Sequence, residues 1–219
     1  MSVIDPDTQK INLICQSLIG CEIQIGFNIK LKNGEKHSGK INNCNIVGDC
    51  MENILFPFIK AQIPTFEEGP KQDSPDFYNR DKKWEYELKC GNGWDVSNFD
   101  KFIAQLSENL EKKMYKTQYL IFKYKIKNDH ITITDFKLCN IWVMLHYNGK
   151  NPVSLQDKRG VWYNIRPCSL KKMNDTKKTP EIFIRQICKA IDASPNNIST
   201  EKREQQKISI MTQFRQLTN

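Results

Sequence analysis

Apolar residues recur at helical spacing near the start of the chain and then change period. Ile11, Leu13, Ile14, Leu18 and Ile19 predict a short amphipathic helix over 8–20. From Cys21 to Leu31 the pattern becomes alternating, with Ile23, Ile25, Phe27, Ile29 and Leu31 on one face, which predicts a strand. Asn33-Gly34 is a turn signal, and the polar stretch 35–40 reads as a loop. Met51, Ile54, Leu55, Phe58 and Ile59 form the stripe of a helix over 46–62, with Pro57 expected to kink it. Residues 63–74 read as a polar, proline-bearing loop. Phe99, Phe102, Ile103, Leu106 and Leu110 mark a helix capped by Asp95 or Ser97 and running to about Lys113. Thr117–Ile126 and Ile131–Phe136 read as strands joined by a turn at Asn128-Asp129. Residues 139–147 fit helix or strand equally. A loop over 148–152 precedes a strand at Val161–Arg166, and 171–178 is a lysine-rich connector. Thr179-Pro180-Glu181 opens a helix to Ile191, with Ile182, Ile184, Ile187 and Ile191 inward. Ser199 or Thr200 caps a last helix to about Leu217, with Ile208, Met211 and Phe214 as its stripe. Strands interleaved with helices predict an α+β architecture on a mixed sheet rather than a meander.

One hairpin stands out chemically. Phe77 and Tyr78 suit a strand, Asn79-Arg80-Asp81-Lys82 a polar turn, and from Lys83 the chain alternates again. Trp84, Tyr86 and Leu88 fall on a core face, and Glu85, Glu87 and Lys89 on the other. With the turn at 79–82, Asp76 faces Glu85 and lies diagonal to Glu87. Two carboxylates beside a lysine suit Mg²⁺-dependent hydrolysis of a phosphodiester. The carboxylates hold a hard cation, and the lysine orients the attacking water and offsets developing charge. The bland reading of the same residues is a solvated strand face.

Pro75-Asp76 and Glu87-Leu88-Lys89, separated by ten residues, resemble the signature of the PD-(D/E)XK nuclease superfamily, to which most type II restriction endonucleases belong. Acid-x-Lys triplets also begin at Asp81, Glu111, Asp135 and Asp175, but only Glu87 joins a strand pattern to an upstream Pro-Asp through a hairpin. Asp135, at the end of a strand, is the one competitor. The resemblance covers about 46–136, where helix, acidic hairpin, helix and strand follow in the order of that superfamily's core. It implies a restriction-endonuclease-like mixed sheet flanked by helices, Mg²⁺ bound by Asp76 and Glu87, and Lys89 as the third catalytic residue. An acidic residue on the preceding helix often supports the metal in this superfamily; Glu52 is the better placed candidate and Asp49 the other.

Charge changes the picture next. Lys and Arg outnumber Asp and Glu by 33 to 25, and residues 150–219 carry 14 bases against 6 acids, so the whole excess of +8 lies in the last third. Residues 49–87 invert the balance, with nine acids against five bases. An acidic patch and a basic region fit a metal site serving a polyanion. Lys150, Asn151, Gln156, Lys158, Arg159 and Arg166 are the side-chain types that reach guanine and adenine edges or phosphates, and are the candidate DNA-binding residues.

The remaining features mostly exclude. The eight cysteines include no C-x-x-C pair and read as scattered thiols in a reducing compartment. Neither a spanning apolar run nor a signal peptide is evident, so a cytoplasmic protein without membrane contact is expected. P-loop, G-x-G-x-x-G and G-x-S-x-G motifs are absent, and beyond the metal no small-molecule cofactor is expected. The chain reads as a single nuclease domain over 1–219, with a catalytic core at about 46–136 and a basic, DNA-reading helical part at about 148–219. The expected function is that of a type II restriction endonuclease on double-stranded DNA. The alternatives are a repair or junction-resolving nuclease of the same fold and a non-catalytic DNA-binding protein. One active site per chain and two strands to cut predict a homodimer. The terminal helices and the N-terminal helix are the expected contacts.

Overall fold

The computed structural model describes residues 5–24, 27–39, 44–70, 74–91, 94–127, 130–147, 151–174 and 178–218. Its helices are α1 (Thr8–Gln16), α2 (Cys44–Lys60), α3 (Phe99–Glu108), α4 (Ile141–Met144), α5 (Pro180–Ala193) and α6 (Thr200–Thr218). Its strands are β1 (Glu22–Gln24), β2 (Phe27–Lys30), β3 (Lys36–Gly39), β4 (Phe66–Glu68), β5 (Phe77–Asn79), β6 (Trp84–Cys90), β7 (Ser97–Asn98), β8 (Thr117–Lys127), β9 (His130–Cys139), β10 (Leu155–Lys158) and β11 (Val161–Ile165). They divide into two compact units, one of residues 4–92 and 119–138, the other of 1–3, 93–118 and 139–219. The α+β composition is the expected one.

The first unit is built on a six-stranded sheet ordered β1-β9-β8-β6-β5-β4, with β2 and β3 forming a separate antiparallel pair. α2 packs on β6 and β4, and α1 packs on α2. Val47, Met51, Leu55 and Ile59 of α2 are buried, at the i, i+4 spacing that makes an apolar helical face. The ring of Phe66 meets those of Phe77 and Tyr86 in tilted pairs, with centroids 5.3 Å and 5.5 Å apart. β6 is buried on both faces along residues 84–88, as befits a strand between two sheet neighbours with a helix against it.

Several expectations are corrected here. The strand expected over 21–31 is two strands, β1 against β9 and β2 against β3. Residues 36–39 form a strand rather than a loop, and β4 lies in the stretch expected as the 63–74 loop. Helix α1 stops at Gln16; Ile11, Ile14 and Leu18 are buried, whereas Leu13 and Ile19 are exposed. The turn at 128–129 lies outside the described residues.

The second unit holds a small sheet ordered β10-β11-β7, packed by α3, with α5 and α6 against each other and α6 against α3. Asn98, not Asp95 or Ser97, caps α3, its side chain accepting the Lys101 N–H at 3.1 Å. The helix breaks at Asn109 instead of running to Lys113, and the chain resumes as a π-helical turn over Lys112–Lys116. Residues 141–144 settle the undecided stretch as one helical turn. Thr179 caps α5 as the Thr-Pro-Glu start predicts, and Phe183, Ile184, Ile187 and Ile191 are buried. Helix α6 departs from its expected stripe: Ile208 is 63% exposed, whereas Gln206 and Ile210 are buried. Gln213 finishes the α3 end, donating to Ser107 O at 2.7 Å and accepting the Leu110 N–H at 2.9 Å. The α5 stripe is packed inside the chain, whereas α1 leaves Leu13 and Ile19 exposed.

Candidate active site

The hairpin β5–β6 positions the site. Its register pairs Phe77 with Tyr86, Tyr78 with Glu85 and Asn79 with Trp84. The turn is therefore 80–83, one residue beyond the expected one, and the next step of the register sets Asp76 opposite Glu87 rather than Glu85. The shift strengthens the pairing, since the Asp76 Oδ2 also accepts the backbone N–H of Leu88.

The turn explains the difference. Arg80, Asp81 and Lys82 all adopt left-handed backbone, with φ of 51°, 55° and 61°. Each such L-residue costs about 1–2 kcal/mol, and no glycine marks the place. A buried network from the N-terminal segment holds it. Asn79 is fully buried; its amide donates to Asp5 at 2.7 Å and Asp7 at 3.1 Å, and its oxygen accepts Thr65 Oγ1 at 2.6 Å and the Arg80 N–H at 3.0 Å. Tyr86 donates to the same Asp5 carboxylate at 2.6 Å, and the Arg80 guanidinium meets Asp7 at 2.9 Å. Burial, with the Asp5 carboxylate next, pushes the Tyr86 phenol far up from its ordinary value.

Around the candidate site, Glu87 accepts the Ser74 hydroxyl on Oε1 and meets Lys89 Nζ at 3.4 Å on Oε2. The Asp76 carbonyl accepts the Gly69 N–H at 2.8 Å. Burial first, and the Glu87 carboxylate second, raise the Asp76 carboxyl from 3.8 to about 6, against the pull of Lys89 and the Leu88 N–H. Glu52, on α2, is raised from 4.5 to about 7 by burial, then by Asp76, Asp49 and, more weakly, Glu87, against Lys89. Burial, with Glu52 and Asp76 behind it, pushes the Cys90 thiol up to about 12. These interactions place Asp76, Glu87, Lys89 and Glu52 in one electrostatic neighbourhood. Asp49 is exposed, as is the competitor Asp135, whose carboxylate accepts its neighbour's Phe136 N–H.

No three His, Cys, Asp or Glu side chains among the described residues converge into a ready metal cage. The donor set nevertheless fits a hard cation. Mg²⁺ takes one or two carboxylates and keeps its waters, and Asp76 and Glu52, raised first by burial and then by neighbouring carboxylates, gather negative charge that a bound cation relieves.

The DNA-reading candidates lie in the second unit. Lys158 and Arg159 are exposed at the tip of the β10–β11 hairpin, and Asn151 is half-buried. Arg166 is bound to Asp95 at 2.9 Å, and Gln156 accepts from Asn164 at 3.1 Å, so both already have partners within the chain. Lys150 lies outside the described residues. Sequence reasoning missed Gly69, Ser74, Asp5 and Asn79. Gly69-Pro70 is a turn signal within a stretch that otherwise reads as loop, and the N-terminal acids carry no local mark of their partners.

The sequence model of the NgoBV restriction endonuclease family matches residues 17–219. The chain is similar to the type II restriction enzyme NlaIV of Neisseria lactamica, at 27% identity over 133 residues, 56% of this chain and 54% of that protein. The alignment thus spans about half the length of that relative. Among solved structures it is similar to the NlaIV restriction endonuclease, with a TM-score of 0.75 at 20% identity, covering 100% of this chain and 91% of that one. At that identity the likeness speaks for the fold, the restriction-endonuclease-like mixed sheet flanked by helices.

Proposed function

This chain belongs to the NgoBV restriction endonuclease family, and from that premise we propose that it hydrolyses double-stranded DNA at a specific sequence with Asp76, Glu87 and Lys89 as its catalytic residues. The observation that carries this reading is the Asp76 carboxylate held at β6, its Oδ2 accepting the Leu88 N–H beside Glu87, with Lys89 at 3.4 Å from Glu87. Asp76 and Glu87 would hold Mg²⁺, with Glu52 supporting them from α2. When bound, the ion supplies Lewis-acid activation of the phosphate and of a water. Lys89 orients the attacking water and offsets the charge that develops on the phosphate. Ser74 fixes the Glu87 carboxylate, and Gly69 fixes the backbone at Asp76.

DNA contacts come from Lys150, Asn151, Lys158 and Arg159, with Gln156 and Arg166 joining them on release from Asn164 and Asp95. The chain acts as a single nuclease domain over 1–219, with its catalytic core at about 46–136 and its basic, DNA-reading helical part at about 148–219. It works as a homodimer, one site for each strand, in the cytoplasm, where the DNA is. Incubation with long mixed-sequence DNA and Mg²⁺ tests the reading. Discrete bands are expected. A smear would mean a nonspecific nuclease, and intact DNA a binding module.

A further inference from the structure

The β10–β11 hairpin carries an apolar surface that its own unit does not use. Val161 and Tyr163 are each 47% exposed on one face, while Trp162 between them is buried. Trp162 is the anchor. Its ring meets Phe99 edge-on at 5.4 Å, its backbone N–H donates to Asn196 Oδ1 at 2.8 Å, and its backbone carbonyl accepts Asn196 Nδ2 at 2.9 Å. Asn196 is itself buried and donates to Asp100 at 3.0 Å. The mount is rigid, so the exposed pair is held out rather than left loose.

The register adds a second observation. Gln156 pairs with Asn164 and the next residue, Asp157, with Trp162, so Tyr163 is an extra residue with no partner on β10. A bulge of this kind re-aims a side chain. The Tyr163 carbonyl accepts Asn98 Nδ2 at 3.0 Å, and the residue is 47% exposed. At the tip, Arg159 and Gly160 are left-handed, with φ of 57° and 78°, and Asp157 accepts the Gly160 N–H at 2.9 Å. Lys158 Nζ lies 4.3 Å from the centroid of the Tyr163 ring. One narrow face thus joins two cations, an aromatic ring and a β-branched side chain, in the part of the chain where bases outnumber acids by 14 to 6.

A polyanion suits the cations, and a groove with apolar base edges suits Val161 and Tyr163. The major groove of duplex DNA, about 12 Å wide, admits a two-stranded ribbon. We propose that the β10–β11 hairpin enters the major groove, with Tyr163 and Val161 against base edges of the recognised sequence and Lys158 and Arg159 on phosphates. The proposal rests on the nuclease reading above. It adds Tyr163 and Val161 as sequence-reading residues.

The test uses the full chain in Ca²⁺, a duplex carrying the cut site mapped with the wild type, and a scrambled duplex of equal length. Affinities are measured across a salt series for wild type, Tyr163→Ala, Tyr163→Phe and the double variant Lys158→Ala/Arg159→Ala. Tyr163→Ala is expected to weaken the mapped duplex by about tenfold or more, with the scrambled duplex and the salt slope unchanged. Tyr163→Phe is expected to keep most of the preference. The double variant is expected to weaken both duplexes and to reduce the salt slope by about 2. An unchanged preference in Tyr163→Ala would overturn the proposal. So would equal weakening on both duplexes, which means phosphate contact alone. A change in sedimentation without DNA and no change in preference would also overturn it, since the face would then join two copies. If the wild type cuts no DNA, the nuclease reading falls and this one with it; if it cuts and Tyr163→Ala discriminates like wild type, only this one falls.

Discussion

Gly69→Ala tests how Asp76, the proposed catalytic aspartate, is held. A Cβ on Gly69 would lie 1.7 Å from the Pro75 carbonyl oxygen and 2.8 Å and 2.9 Å from the carbonyl carbons of Pro75 and Asp76. All three are backbone atoms, so no side chain can swing away. Real Cβ contacts essentially never fall under 3.0 Å, and the backbone beside Asp76 must retreat by about 1.3 Å to reach even that separation. A misplacement near 1 Å at a reacting centre costs about 10²-fold in rate, and overpacking of this kind costs about 1–3 kcal/mol of stability. Gly69→Ala is therefore expected to lose about a hundredfold in single-turnover cleavage, while binding of the same duplex in Ca²⁺ is retained. Gly48→Ala is the control, since a Cβ there meets nothing within 4 Å. A Gly69→Ala enzyme that folds and cuts at the wild-type rate would refute the claim that this backbone contact sets the position of Asp76.

Three further outcomes are expected. Asn79→Ala removes a buried amide and leaves the Asp5 carboxylate short of a donor, so denaturant unfolding should show a loss of about 2–4 kcal/mol; a change within error would mean that the turn does not depend on the network. Asp76 titrates near 6 in the metal-free fold against 3.8 as its ordinary value, so its contribution to stability is full below pH 3.8 and is lost as pH rises through about 6, a difference of at most about 3 kcal/mol. Thermal melts in EDTA and in Mg²⁺ should accordingly show the cation stabilising the protein more at about pH 8 than at about pH 5, because ionised carboxylates bind it; equal shifts at both values would argue against these ligands. Sedimentation with the mapped duplex should give two chains per duplex, and a one-to-one complex that cuts both strands in one binding event would contradict the two-site stoichiometry.

The hairpin that carries the candidate site was legible because its signal is local. Trp84, Tyr86 and Leu88 alternate with Glu85, Glu87 and Lys89, and Pro75-Asp76 precedes them. Its register was not legible, because three left-handed non-glycine residues set the turn and the groups that hold it, Asp5 and Asp7, lie far away in sequence. Strand β4 escaped notice for a similar reason: it is three residues long and gains its place from pairing with β5. In α6 Ile208 of the expected stripe faces solvent, because Gln206 and Ile210 take the buried positions and Gln213 hydrogen bonds finish the end of α3. The basic hairpin was legible as charge, but its two exposed apolar side chains and its bulge follow from how Trp162 is buried.

The most direct test of the catalytic assignment compares wild type, Asp76→Ala, Glu87→Ala and Lys89→Ala on one duplex carrying the mapped site. Cleavage is measured in Mg²⁺ and binding in Ca²⁺. The account predicts that Asp76→Ala and Glu87→Ala bind the duplex and do not cut it, and that Lys89→Ala loses about 10²–10³-fold in rate. Near-normal cleavage by either carboxylate variant would contradict it and would move the search to Asp135 and Lys137.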